Sequence, residues 1–204
     1  DYDLAGFAVG AVERGQVLSG SAVEAGDAVL GLPSSGLHSN AFSLVRRVVA
    51  EAGLPWDAPA PFAPERGLAE ALLEPTRIYV QPCLALVRAG HARALAHITG
   101  GGLVENIPRV IPPALAVELD AACWDLPPVF AWLQRTGRIG APEMARVFNC
   151  GLGMVAVVAA DRVQAAKDTL AGTGLTALEV GRVVARAEGA PGCVVRGIEE
   201  SWRV

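Results

Sequence analysis

The chain has 204 residues, of which 52% are hydrophobic and 19% charged, enough apolar material for a sizeable core and too much for a disordered chain. Its 17 basic and 21 acidic residues leave a net charge of −4 with no basic stripe, which excludes the electrostatic footprint of a nucleic-acid binder. No apolar run reaches the roughly 18 residues of a membrane span and no basic segment precedes an apolar one as in a signal peptide; the four scattered cysteines (Cys83, Cys123, Cys150, Cys193) lack zinc spacing, so reduced, mostly buried thiols in a cytoplasmic protein are expected.

Residues 4–13 alternate loosely and predict a strand, closed by a turn at Arg14-Gly15. The chain opens inside this element and has no initiator methionine, its only methionines being Met144 and Met154, so it is expected to be the C-terminal part of something longer. Residues 26–33 form an apolar run bounded by turn residues and predict a buried strand. Ser34 to Asn40 reads as a loop, followed by a helix over 41–53 with Phe42, Val45 and Val49 at helical spacing, Ser39 or Asn40 as its cap and Gly53 as its stop.

Four prolines between Pro55 and Pro64 predict an irregular surface loop. A short helix over Arg66–Leu73 and a second over Tyr79–Ala89, ended by Gly90, come next. Ala92–Ile98 predicts a strand, 103–110 a short helical stretch disturbed by Pro108, and 115–119 a strand. Helices are expected at 128–134 and 142–147, with Pro127 and Pro128 suited to a first turn. A strongly apolar strand at 152–159, a helix at 162–170 capped by Asp161, and closing strands at 178–184 and 193–198 complete the chain. Alternating strands and helices predict an α+β, layered α/β fold: a mixed sheet covered by helices, in one domain over 1–204.

Several stretches carry residue types suited to chemistry. Ser34-Ser-Gly-Leu-His-Ser-Asn40 places Gly36, His38, Ser39 and Asn40 just before a helix, whose N-terminal amides suit an anion; an ordinary cap after a tight turn fits the same residues. His97-Ile-Thr-Gly-Gly-Gly102 places a histidine and Thr99 before three glycines at a strand-to-helix junction. Gly100, Gly101 and Gly102 leave the backbone bare for a phosphate or another chain, although a flexible turn with a core histidine has the same composition. Neither named nucleotide fingerprint applies to it. Asn149-Cys150-Gly151 stands at the mouth of the apolar strand, with Asn149 able to bond a ligand amide and Cys150 short of a nearby histidine for nucleophile work. Glu74-Pro-Thr-Arg-Ile-Tyr79 combines a carboxylate with an arginine and fits a site or a solvated turn equally.

Taken in order and spacing, GLPSSGLHSNAFSLVR (31–46), LLEPTRIYV (72–80), HITGGGLVENIPRV (97–110) and VFNCGLGM (147–154) resemble the C-terminal domain of the aminoimidazole ribonucleotide synthetase family, also called phosphoribosylformylglycinamidine cyclo-ligase. DLAGFAVG (3–10) resembles the segment where that domain begins. Glycine is common in the family at the position held here by Ala41, which is expected to be helical.

The resemblance implies an ATP-dependent ligase of purine biosynthesis that activates the formyl amide oxygen of formylglycinamidine ribonucleotide and closes the imidazole ring by C–N bond formation. It implies His38 and His97 as catalytic groups, and Gly36, Ser39, Asn40, Thr99, Gly100, Gly101, Gly102 and Asn149 as contacts to substrate or phosphate. It also implies ATP and Mg2+ held mainly by an N-terminal half, a homodimeric full-length protein, no metal ligand on this chain, and no turnover by this chain alone. The related ATP-using enzymes (the amidotransferase of the same pathway, selenophosphate synthetase, thiamine-monophosphate kinase, a hydrogenase maturation factor) and a non-catalytic binding module are the competing readings.

Overall fold

The computed structural model describes residues 5–202. Its centre is a six-stranded mixed sheet in the order β4-β6-β1-β7-β5-β8. The strands are β1 (Ala28–Pro33), β4 (Ala92–His97), β5 (Leu115–Asp120), β6 (Leu152–Val158), β7 (Leu178–Ala185) and β8 (Cys193–Arg196). All neighbours run antiparallel except β5 and β8. This is the α+β layered architecture expected from the alternation of elements.

Residues β1 and β6 are apolar at nearly every position because helices cover both faces of this part of the sheet. Successive strand residues point to opposite faces. Leu30 and Leu32 of β1, with Ala156 and Val158 of β6, pack with Leu86 of α3 (Val80–Arg88) and Leu170 of α7 (Val163–Ala171). Val29, Val155 and Val157 turn the other way, into the larger core. That core is built with α1 (Phe42–Glu51), α2 (Leu68–Leu72), α4 (Gly102–Asn106), α5 (Pro128–Gly137), α6 (Ala141–Val147) and α8 (Ile198–Ser201). Phe130 and Phe148, ring centroids 5.9 Å apart, fill its middle.

Several local expectations are overturned. Residues 5–13 form no strand, and Phe7, Val9 and Val12 are exposed: no neighbouring strand pairs with them, and a lone strand leaves its backbone groups unmet. Leu4 lies outside the described residues. The turn at Arg14-Gly15 is present. The proline-rich stretch is not wholly irregular: β2 (Pro59–Ala60) and β3 (Ala63–Gly67) pair as a small hairpin, and Arg66 belongs to it rather than to α2. Prolines at the ends of such an edge hairpin remove no ladder bond that an inner strand would need.

Asp161 lies in a short 3-10 turn (Ala160–Arg162) ahead of α7, makes no capping bond, and pairs with Arg162 at 3.7 Å. Ile198 opens α8 rather than extending β8, after Gly197 turns the chain at φ 66°. All four cysteines are free; Cys150 and Cys193 are buried, Cys83 is half-buried and Cys123 is exposed. Among the described residues no helix is long and apolar enough to cross a membrane.

Candidate functional site at one corner of the sheet

The four motif-bearing stretches meet at the end of β1, β4 and β6. Asn149 is the central clasp. Its Oδ1 accepts from Ser34 Oγ at 3.0 Å and from the Gly151 amide at 2.8 Å, and its Nδ2 donates to the carbonyls of Gly36 at 2.9 Å and Leu37 at 3.3 Å. The residue is buried, and its amide is spent on the 34–37 loop rather than left for a ligand. Asn40 Nδ2 donates to the Val147 carbonyl at 2.7 Å. Ser35 Oγ donates to the Pro75 carbonyl at 2.6 Å, and Tyr79 Oη to the Pro33 carbonyl at 2.8 Å. The Ile98 amide donates to the Gly153 carbonyl at 3.0 Å. Apart from the Asn149–Gly151 bond, each of these bonds joins two different stretches.

His38 is buried in this web. Its Nε2 accepts the backbone N–H of Ser35 at 3.2 Å and of Arg77 at 3.4 Å, so its proton sits on Nδ1. Burial, reinforced by the positive fields of His97 and Arg77, lowers its pKa to about 4 and keeps it neutral at physiological pH. Its ring stands 6.1 Å from that of Tyr79. Burial also raises the Tyr79 pKa, so the phenol stays protonated as a donor. With Nε2 occupied and the ring shielded, His38 holds the Ser35 and Arg77 backbone amides together. Nδ1 has no partner among the described residues. His97, by contrast, is exposed at the end of β4.

Neither Ser39 nor Asn40 caps α1. The cap position is Ala41, in the left-handed region at φ 60°, with no side-chain bond to the helix. Asn40 is drawn away to Val147, and Ser39 stays exposed. Ala41 is therefore not helical, and the glycine common in the family would sit there without strain. Three of the four non-glycine residues with positive φ among the described residues (His38, Ala41 and Cys150) belong to this corner. Such strain persists only where surrounding contacts over-determine it, and it gathers at functional sites.

The three glycines divide into different tasks. A Cβ on Gly102 would stand 2.2 Å from the Ala145 carbonyl oxygen of α6, so this glycine is bare for the chain's own packing, not for a ligand. Gly101 caps α4 at φ 97°, and a Cβ there would meet the Glu105 side chain at 2.6 Å. Gly100 alone is exposed with room above it; its nearest neighbour would be Asn40 Oδ1 at 3.6 Å. The turn is stapled from below by buried Asn106, whose Nδ2 donates to the carbonyls of Thr99, Gly100 and Gly102, the last at 2.8 Å. Among the described residues no hydrogen bond engages the amides of Gly100 and Gly101. Outward amides in such a turn suit an anion.

Cys150 is fully buried, with its Sγ donating to the Met144 carbonyl at 3.3 Å; burial raises its pKa, which removes it as a nucleophile. Sequence reasoning missed Asn106 and Gly153; the stretch that holds Arg77 and Tyr79 it left open between a site and a solvated turn. Gly153 is needed because a Cβ there would lie 2.2 Å from Tyr79 Oη and 2.4 Å from His38 Cε1. The legible signal was a glycine inside an otherwise apolar strand, which marks close approach of another group.

Residues 24–193 match the family described as AIR synthase related protein, C-terminal domain. The thiamine-monophosphate kinase of Stenotrophomonas maltophilia K279a is similar in fold, at 20% identity over 91% of this chain and 55% of that one, with a TM-score of 0.60. So is E. coli HypE, a hydrogenase maturation protein, at 17% identity over 88% of this chain and 48% of that one, TM-score 0.53. T. maritima PurL complexed with FGAR matches at 11% identity over 91% of this chain and 28% of that one, TM-score 0.50. The chain thus spans about half the length of the first two structures. With 24–193 matched and the fold shared, the chain belongs to the AIR synthase related protein, C-terminal domain family.

Proposed function

We propose that this chain is the C-terminal half of a phosphoribosylformylglycinamidine cyclo-ligase, which closes formylglycinamidine ribonucleotide to aminoimidazole ribonucleotide using ATP. One observation carries the reading. The four stretches that resemble that enzyme, scattered between residues 31 and 154, are hydrogen-bonded to one another at a single corner, which also holds three of the strained residues.

In this reading the corner is one wall of a cleft whose other wall is an N-terminal half, with most ATP and Mg2+ ligands on that half and a cytoplasmic homodimer as the full-length form. Among the described residues there is no group of three or more His, Cys, Asp or Glu side chains that could hold a metal ion. Bound ATP supplies the phosphoryl group that makes an amide oxygen a leaving group. The free amides of Gly100 and Gly101 hold phosphate oxygens, at a place where Asn106 has already fixed the backbone, so little reorganisation is needed when charge develops. The reading gives the same task to the exposed Ser39 and to Thr99, which precedes Gly100 in the chain. His97, exposed beside them, donates or accepts the proton at the substrate amide. His38, Asn40, Asn149, Gly36 and Gly102 keep the two turns in register.

The test is steady-state turnover by the full-length protein, offered formylglycinamidine ribonucleotide or thiamine monophosphate with ATP. The cyclo-ligase reading expects aminoimidazole ribonucleotide from the first and no product from the second. Turnover of thiamine monophosphate alone selects the kinase reading, which shares the need for a phosphate cradle.

A further inference from the structure

A carbonyl and the amide that follows it in the chain belong to one planar peptide group, and in the trans form they point opposite ways. The Thr99 carbonyl shares its peptide with the Gly100 N–H, and the Gly100 carbonyl with the Gly101 N–H. Asn106 Nδ2 donates to both carbonyls, at 3.3 and 3.2 Å. These bonds therefore hold the same two peptide groups whose N–H ends are free, and turn those ends away from the buried Asn106.

The other end of the Asn106 amide is also engaged. Its Oδ1 accepts from Arg109 Nη1 at 3.2 Å. Local structure brings the two together: Asn106 precedes a short 3-10 helix over Ile107–Val110, in which residues three apart eclipse each other. Pro108 lies in the first turn of that helix, where its missing N–H costs no bond. Asn106 is buried, while Arg109 is exposed. Among the described residues no carboxylate forms an ion pair with Arg109.

We propose that Arg109 is a positioning residue for the glycine turn, acting through Asn106 on the Thr99–Gly100 and Gly100–Gly101 peptide groups. Its guanidinium fixes the Asn106 amide with the oxygen toward the charge and the nitrogen toward the carbonyls. A hydrogen bond from an ionised donor is stronger than a neutral one, and bonds in series polarise one another. The charge thus makes the Asn106 amide a stronger donor and the two peptide N–H groups beyond it more positive. The inference rests on the reading of this turn as the wall that holds phosphate oxygens, and adds to that wall a charge that the turn itself lacks.

The test reads the Gly100 and Gly101 amide signals by 1H–15N NMR of the full chain labelled with 15N-glycine. Arg109→Met is expected to move both amide protons upfield, toward a less polarised peptide, with Tm changed by about 2 °C or less. Arg109→Lys, which keeps a charged donor, should restore most of the parent positions. Asn106→Ala should move the signals as far, and Arg109→Met should add little in that background, because the link is already cut. Arg88→Met, on α3, should leave both signals in place. In the full-length protein Arg109→Met should lower kcat for formylglycinamidine ribonucleotide about fivefold, the size of one net hydrogen bond. Unmoved glycine signals in Arg109→Met, signals displaced alike in Arg109→Lys and Arg109→Met, or an undiminished effect of Arg109→Met on top of Asn106→Ala would each overturn the proposal. If Asn106→Ala does not fold, the contrast between the two Arg109 variants decides alone. Moved signals together with a full-length parent that makes no aminoimidazole ribonucleotide support the role of Arg109 and remove the cyclo-ligase reading.

Discussion

The Nε2 of His38 accepts the backbone N–H of Arg77 at 3.4 Å, across 39 residues of chain. This bond needs a neutral imidazole, and its consequence is a pH dependence of stability. The folded-state pKa of about 4 lies below the ordinary 6.5. The unfolded chain therefore takes up a proton first as pH falls, and stability is lost between about pH 6.5 and 4, then levels off. Over that interval the loss amounts to about 3 kcal/mol. Urea unfolding at pH 7 and pH 4.5 should show it, and His38→Asn, which keeps an acceptor and tolerates φ 58°, should remove most of it. An unchanged pH slope in the variant would show that His38 is not the titrating group.

The glycine run separates by substitution. Gly102→Ala should destabilise by about 3 kcal/mol, because its Cβ meets a backbone carbonyl that cannot swing aside. Gly153→Ala should cost about 2 kcal/mol or more through collision with Tyr79 and His38. Gly100→Ala should leave stability within about 0.5 kcal/mol while impairing phosphate contact in the full-length protein. Thermal unfolding read beside phosphate affinity checks the set; a Gly100→Ala variant as unstable as Gly102→Ala would make the whole run structural.

Ala41→Gly should stabilise the chain. Alanine at φ 60° carries a left-handed penalty that glycine lacks, partly offset by the greater freedom of glycine when unfolded. A net gain of roughly 0.5–1 kcal/mol, about 1–4 °C in Tm, is expected by calorimetry. A fall in Tm would mean that the alanine methyl packs usefully against the core.

Asn149→Ala should be among the most damaging single changes at the corner. It leaves the Ser34 hydroxyl, the Gly151 amide and the Gly36 carbonyl without their partner in a buried place, at a cost of about 3 kcal/mol. Urea unfolding checks this. A loss of ligand affinity without a loss of stability would instead place the amide on the ligand.

The sheet and most of its helices were legible because burial imposes period. Val29 and Leu30 face opposite cores, so β1 reads as a continuous apolar run. Residues 5–13 misled because alternation alone does not supply a pairing partner. The cap of α1 misled because Asn40 has the right chemistry for a cap and spends it 107 residues away on Val147. In the same way the motifs showed where the corner lies but not how its labour divides. That Gly102 packs against Ala145, or that His38 is buried while His97 is exposed, depends on long-range contacts that no local pattern encodes.

The most direct test of the central claim is turnover of formylglycinamidine ribonucleotide by the full-length protein carrying His97→Ala. The predicted result is a fall in kcat of about 100-fold or more, the range of a lost proton-transfer group, with Tm unchanged because the side chain is exposed. Undiminished kcat in that variant would contradict the assignment of this corner to the reaction.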